Sequence, residues 1–132
     1  MRTHYVTHPS DRPFADEVAQ RASAHGLERA DDLASADVAF VLASAAALRD
    51  GLGDAPAAAL AAGVPVLLAV RGDVAFPDGF PVARKHLPLA VDAAGAVRLL
   101  EDHARNAASK IADGKRELFA HGVLLALLAR GG

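Results

Sequence analysis

The stretch that decides the fold is Val38-Ala39-Phe40-Val41-Leu42-Ala43, an apolar run without a polar interruption. A strand with one face in water alternates apolar and polar residues, whereas a strand covered by helices on both faces is apolar throughout. A second run of this kind, VPVLLAV, spans residues 64–70. The two runs predict buried strands of an α/β sheet.

The residues before the first run form a predicted strand and helix. Residues 3–7 are a plausible first strand, and Ser10 or Asp11 is the candidate cap of the helix that follows. Gly26 stands where a C-terminal glycine is expected to end that helix. The segment 27–32 is short and polar, which leaves an edge strand open.

The residues after the first run continue the alternation of helices and strands. The elements expected there are a helical segment at 45–62 interrupted at 51–53, a loop at 71–85, a short strand at 87–91, and helix from 94 onward. Such alternation predicts right-handed crossovers and a parallel sheet. The predicted fold is a three-layer, doubly wound, flavodoxin-like α/β domain with a mostly parallel sheet of four to five strands and an extra C-terminal helical segment.

Composition narrows the classes of function. The 132 residues suit one domain, and the 14 Lys and Arg are balanced by 16 Asp and Glu without forming a basic stripe, so we expect no nucleic-acid partner. The chain has no Cys, which suits a reducing cytosol. The longest apolar stretch, 122–129, is far shorter than the ~20 residues that span a bilayer. We therefore expect a cytoplasmic protein without a membrane partner.

In parallel sheets of this kind, ligands bind beyond the carboxyl ends of the strands. The candidate ligand-binding residues at that edge are Thr7, His8, Asp11, Ser44, Gly51, Gly53 and Asp54. Each has a simpler interpretation as well. Thr7, His8 and Asp11 either contact a ligand or cap the helix, Asp54 is more simply a helix cap, and Gly51 and Gly53 form either a phosphate-binding loop or an ordinary turn.

Metal binding and serine hydrolysis are both disfavoured. His4 and His8 on an extended strand lie roughly 13 Å apart at about 3.3 Å per residue, too far for one ion, and the other histidines lack ligand-like spacing. Ser44 is not part of a Gly-x-Ser-x-Gly nucleophile elbow. We predict neither a metal site nor a bound cofactor, with NAD or a nucleotide as the alternative ligand.

Three segments carry a resemblance to a known family: ADVAFVLAS at 36–44, AAGVPV at 61–66 and SDRPFA at 10–15. Together they resemble the Toll/interleukin receptor (TIR) domains and the related nucleoside deoxyribosyltransferases. The resemblance covers roughly residues 3–105. It implies a crevice in which active members cleave an N-glycosidic bond of NAD or of a nucleoside with a catalytic Glu.

The chain departs from the family in two places. Residues 27–35 leave little room for the second strand, loop and helix of a TIR domain. The position of the catalytic Glu, about two turns before Gly63, holds Ala55. Alanine has no carboxylate, and the neighbouring Asp54 points about 100° away on a helix. Asp54 and Asp11 are the candidates for a replacement acid.

The C-terminal residues predict self-association. Residues 113–132 are expected to add a helix, apolar on nearly all sides, to a TIR-like domain at 1–112. A helix of this kind packs either on its own domain or on a second copy. The residues expected at a homo-oligomer contact are Leu118, Phe119, Leu124, Leu125 and Leu128.

The leading hypothesis is a catalytically degenerate TIR-like domain that acts in signalling through contacts with itself or with another protein. The alternatives are an N-glycoside hydrolase or transferase with a non-standard acid, and a module that binds NAD or a nucleotide without chemistry.

Overall fold

A computed structural model describes residues 1–71, 89–90 and 92–106. Five strands form one sheet in the order β2-β1-β3-β4-β5, and every neighbouring pair is parallel. The strands are β1 (Arg2–Val6), β2 (Glu28–Arg29), β3 (Val38–Ala43), β4 (Val66–Arg71) and β5 (Leu89–Ala90). This confirms the predicted α/β fold with a parallel sheet.

Helices cover both faces of the sheet. They are α1 (Arg12–Ser23), preceded by a 3-10 turn at Pro9–Asp11, then α2 (Ala45–Asp50), α3 (Ala55–Ala61) and α4 (Ala93–Asn106). The face of the sheet that carries Phe40 packs against α1 and α4. The opposite face, which carries Val41, packs against α2 and the first residue of α3. The domain therefore has three layers.

The central strand shows why its sequence is apolar throughout. Val38, Phe40 and Leu42 belong to the core beneath α1 and α4, whereas Val41 and Ala43 belong to the core on the other face. All these side chains are buried. Because successive side chains of a strand point to opposite faces, only an unbroken apolar run satisfies both cores.

Helix α1 ends three residues before Gly26. Ser23 is its last residue, and Gly26 follows in a turn with a φ of 78°. The amide of Leu27 donates to the carbonyl of Ala22 at 3.0 Å, and the amide of Gly26 donates to the carbonyl of Ser23 at 3.1 Å. These bonds satisfy carbonyls that the last helical turn would otherwise leave unpaired.

The crossover from β2 to β3 contains no helix between residues 30 and 37. This short connection agrees with the scarcity of residues between the first helix and the central strand. The edge strand β2 has two residues, and both are exposed. Charged residues on a short edge strand discourage pairing with another chain.

Several predictions concern residues outside the described ranges. These are the loop after Arg71, part of the strand at 87–91, and the C-terminal segment with Leu118, Phe119, Leu124, Leu125 and Leu128. Within the described part of the chain, no helix is both long and apolar enough to cross a membrane.

Candidate functional site

The strand order places a crevice between two particular strands. From β1 the chain moves outward to β2 and then returns past β1 to β3, so the order reverses between β1 and β3. In doubly wound sheets, ligands bind beyond the carboxyl ends of the strands at this reversal. His8 and Asp11 follow β1, and Ser44 follows β3. The candidate residues from both segments therefore meet at one edge of the sheet.

Asp11 and Ser44 are in direct contact at this edge of the sheet. The Ser44 hydroxyl donates a hydrogen bond to Oδ2 of Asp11 and accepts one from the amide of Ala47 at 3.1 Å. Ser44 is therefore the N-cap of α2. Ser44 is 1% exposed, and the side chain of Asp11 is 11% exposed. Asp11 is the N-cap residue of α1, as one of the two predicted alternatives had it, but its carboxylate accepts no hydrogen bond from that helix.

Arg71 places a positive charge beside Asp11. Its Nη1 lies 3.9 Å from Oδ1 of Asp11, close enough for an ion pair but too far for a hydrogen bond. The guanidinium carbon lies 4.4 Å from the centroid of the Phe14 ring. This distance is within the range of a cation–π contact. The residue at the end of β4 is thereby held beside the crevice by a ring of α1.

His8 connects the end of β1 with the end of α2. Its Nε2 lies 2.8 Å from Oδ2 of Asp50, and its Nδ1 accepts from the amide of Ser10 at 3.1 Å. Because an amide only donates, we assign the lone pair to Nδ1 and the proton to Nε2. The Ser10 hydroxyl also lies 2.7 Å from Nδ1. The capping role left open for His8 is thus present, at the 3-10 turn.

Asp50 is exposed but has two partners. Hydrogen bonds from Arg49 and then from His8 hold the pKa of the Asp50 carboxyl below its usual value. The Arg49 Nε and the Asp50 Oδ1 are 3.0 Å apart. Asp50 is therefore an ionised partner for His8, and its hydrogen-bond donors are the side chains of Arg49 and His8.

Gly51 and Gly53 form the turn between α2 and α3. Both have positive φ angles, of 81° and 67°, and the Gly51 amide donates to the carbonyl of Ala47 at 2.8 Å. Asp54 is exposed, and its carbonyl accepts from the amide of Ala58 at 2.8 Å. This bond places Asp54 at the N-cap position of α3. Thr7 is half-buried just beyond β1.

Ala55 lies where the resemblance to the family expects a catalytic Glu. Its side chain is half-buried and packs against the core cluster that contains Val41, Ala43 and Leu68. The methyl group therefore contributes to the packing between α3 and the sheet. The carboxylates that the structure brings to the crevice are instead those of Asp11 and Asp50.

The histidines near β1 serve different contacts. His4 Nδ1 lies 3.4 Å from the carbonyl of Ala30, whereas His8 contacts Ser10 and Asp50. Among the described residues, no three acidic, histidine or cysteine side chains come together in a metal-binding arrangement.

Asp50 and Arg71 are not among the candidate site residues predicted from the sequence. Arg71 is the last residue of β4, and its position directly after an apolar run of the sequence places it at the carboxyl edge of the sheet. Asp50 offers no comparable signal, because its contact with His8 joins residues 42 positions apart.

The two carboxylates at this edge of the sheet, those of Asp11 and Asp50, each lie beside an arginine and each have a hydrogen-bond partner within the protein.

No protein-family model matches the chain, and no curated protein or solved structure matches it significantly.

Proposed function

We propose that the chain is a catalytically inactive TIR-like domain that acts through protein–protein contacts, including contacts with a second copy of itself. The observation that carries this proposal is the engagement of Asp11, a candidate acid at the carboxyl edge of the sheet. Its Oδ2 accepts from the Ser44 hydroxyl, and its Oδ1 faces the Arg71 guanidinium. Both oxygens of this carboxylate therefore already have a neighbour in the protein, which leaves little free capacity to attack a sugar carbon or to transfer a proton.

The second acid of the crevice is similarly engaged. Asp50 accepts hydrogen bonds from Arg49 and lies within hydrogen-bond distance of His8. Asp54, the other acid weighed from the sequence, is exposed at the start of α3. An exposed carboxylate is surrounded by water, whereas enzymes that cleave such bonds exclude water from the reacting groups. The three acids together support a domain without glycosidase chemistry.

Support for self-association comes from the sequence beyond α4. Residues 118–128, LFAHGVLLALL, contain seven Leu, Val or Phe residues and no charged one. If this segment is helical, apolar side chains occupy nearly all its sides, and more than one neighbour is needed to cover them. A second copy of the chain is the simplest neighbour that satisfies this requirement.

Turnover tests the catalytic half of the proposal. The purified chain is incubated with NAD and, separately, with adenosine and inosine, and the released bases are separated by chromatography. We expect no release above the rate in buffer. Release that grows with protein concentration and disappears in Asp11→Asn would show that the domain is an enzyme.

Light scattering after size-exclusion chromatography tests the association half. We expect a defined oligomer for the full chain and a smaller species for the double variant Leu125→Glu/Leu128→Glu. The control Ala57→Glu/Ala61→Glu introduces the same charge on exposed positions of α3 and should leave the mass unchanged. A monomeric wild type at all concentrations would contradict self-association.

A further inference from the structure

A cavity of about 300 Å³ lies between α1, the end of β4 and the first turn of α4. Phe14, Glu17 and Arg21 line it from α1, Arg71 lines it from β4, and Asp92 lies at the start of α4. Binding pockets for small molecules begin at about this volume. The cavity is adjacent to the Asp11–Ser44 pair, since Arg71 borders both.

Among the described residues, no hydrogen-bond acceptor engages the N–H groups of Arg71 in this cavity. Its guanidinium lies over the Phe14 ring, and such stacking leaves the N–H groups at the edge of the guanidinium plane accessible. The ion pair with Asp11 is 3.9 Å long, which is beyond hydrogen-bond distance. Arg71 donates no hydrogen bond to any residue in the described ranges. Its side chain is 30% exposed, so the charge is partly withdrawn from water.

Each acid that lines the cavity has a hydrogen-bonding or ionic partner of its own. Glu17 Oε1 lies 3.2 Å from Nη2 of Arg21. Asp92 is exposed, and its Oδ1 accepts from the amide of Gly95 at 2.7 Å. Two arginines line the cavity. Arg21 pairs with Glu17, whereas the donors of Arg71 are engaged by neither Glu17 nor Asp92.

We propose that this cavity binds a small oxyanion, the carboxylate or phosphate group of a ligand, through the guanidinium of Arg71. Arginine binds these groups with two parallel N–H donors, and a guanidinium oriented by an aromatic ring is prepared for this geometry. The volume admits a small anion or the anionic end of a larger molecule. This proposal goes beyond the proposed function, although both involve Arg71, which faces Asp11 as well as the cavity. The turnover assay and the binding titration test the two proposals separately.

Calorimetric titration of the full chain at low ionic strength tests the site. The probes are inorganic phosphate and succinate, with sodium chloride at matched ionic strength as the reference. We expect saturable binding of at least one probe. Phosphate binding without succinate binding would assign the site to phosphorylated ligands, and the reverse would assign it to carboxylates. The absence of binding for both probes would overturn the proposal.

Variants locate the bound anion. Arg71→Gln should weaken binding at least tenfold, and Arg71→Lys should weaken it less, because lysine keeps the charge but loses the paired donors. Arg105→Gln removes the same charge at an exposed position near the end of α4 and should bind as the wild type does. If Arg71→Gln fails to fold, Phe14→Leu replaces it, since loss of the ring removes the orientation of Arg71. Unchanged affinity in a folded Arg71→Gln or Phe14→Leu variant would refute the assignment.

Discussion

At the scale of single residues, the Ser44 hydroxyl makes two hydrogen bonds that both stabilise the fold. It caps α2 through the amide of Ala47 and donates to the half-buried Asp11. We expect Ser44→Ala to lower the free energy of unfolding by about 2 kcal/mol, because it removes an N-cap and a donor to a carboxylate. Urea denaturation measures the change.

The control for Ser44 is Ser23→Ala at the exposed end of α1. This variant should stay within about 0.5 kcal/mol of the wild type. Equal stabilities of the two variants would show that the contact between Ser44 and Asp11 contributes nothing to folding.

Tyr5 provides a spectroscopic test of the packing beneath α1. It is the single tyrosine of a chain without tryptophan, so tyrosinate absorbance near 295 nm reports this residue alone. Burial raises the pKa of Tyr5 to about 12, and the nearby Arg29 partly opposes the shift. We expect the folded protein to titrate near that value and the urea-unfolded chain near the ordinary value of about 10.

The same shift predicts how stability depends on pH. Because the folded pKa of Tyr5 lies above the unfolded one, the unfolded chain loses this proton first as the pH rises. The contribution is fully present below about pH 10 and is lost as the pH rises toward about 12. Tyr5→Phe should lack this part of the alkaline loss. Parallel stability curves for wild type and Tyr5→Phe between these values would contradict the burial of the phenol.

At the scale of elements, the turn after α1 depends on backbone conformation alone. Gly26 has a φ of 78°, and a Cβ built there meets no atom within 4 Å. We expect Gly26→Ala to cost about 1 kcal/mol, since L-residues with side chains disfavour this region. Gly26→Asn should cost less, because Asn tolerates it better. Thermal unfolding would show the order Gly, Asn, Ala, and an alanine variant as stable as the wild type would contradict the backbone argument.

The elements that the sequence predicted best are those whose signal is local. The bounds of β3 and the break between α2 and α3 agree with the apolar run at 38–43 and with Gly51 and Gly53. The start of β4 was placed two residues early. The amide of Val64 bonds back to Ala59 at the end of α3, so this residue still belongs to the turn.

Helix α4 shows a limit of spacing arguments. Val97, Leu100 and Ala104 are spaced by three and four residues, as on one face of a helix, but Ala104 is exposed. The buried face instead continues toward the start of the helix, through Ala93 and Ala96. Alanine is compatible with either environment, so periodicity alone did not determine which alanines face the core.

At the scale of the whole molecule, topology determines which candidate residues meet. The sequence alone placed His8, Asp11 and Ser44 at the carboxyl edge of the sheet, because each follows a predicted strand. It did not predict the contact of Asp11 with Ser44, or that of His8 with Asp50. These contacts join residues 33 and 42 positions apart, and they depend on the strand order, which a single sequence does not specify.

Ala55 occupies the position at which the resemblance to TIR domains implies a catalytic Glu. If the domain is inactive, as we propose, and Ala55 is the sole cause, Ala55→Glu would restore cleavage of NAD. Ala55 packs against the core cluster on one face of the sheet, and the crossover between β2 and β3 lacks the helix expected from the family. A new carboxylate would therefore enter a crevice whose other parts also differ from those of the family.

We expect no release of nicotinamide from NAD by Ala55→Glu, measured against Ala57→Glu, which adds the same charge at an exposed position of α3. A carboxylate at the start of a helix is favoured by about 0.3–1 kcal/mol, which offsets part of the cost of its partial burial, so the variant should remain folded. Nicotinamide release by Ala55→Glu alone would mean that the crevice is otherwise intact and that a single substitution separates this domain from an enzyme.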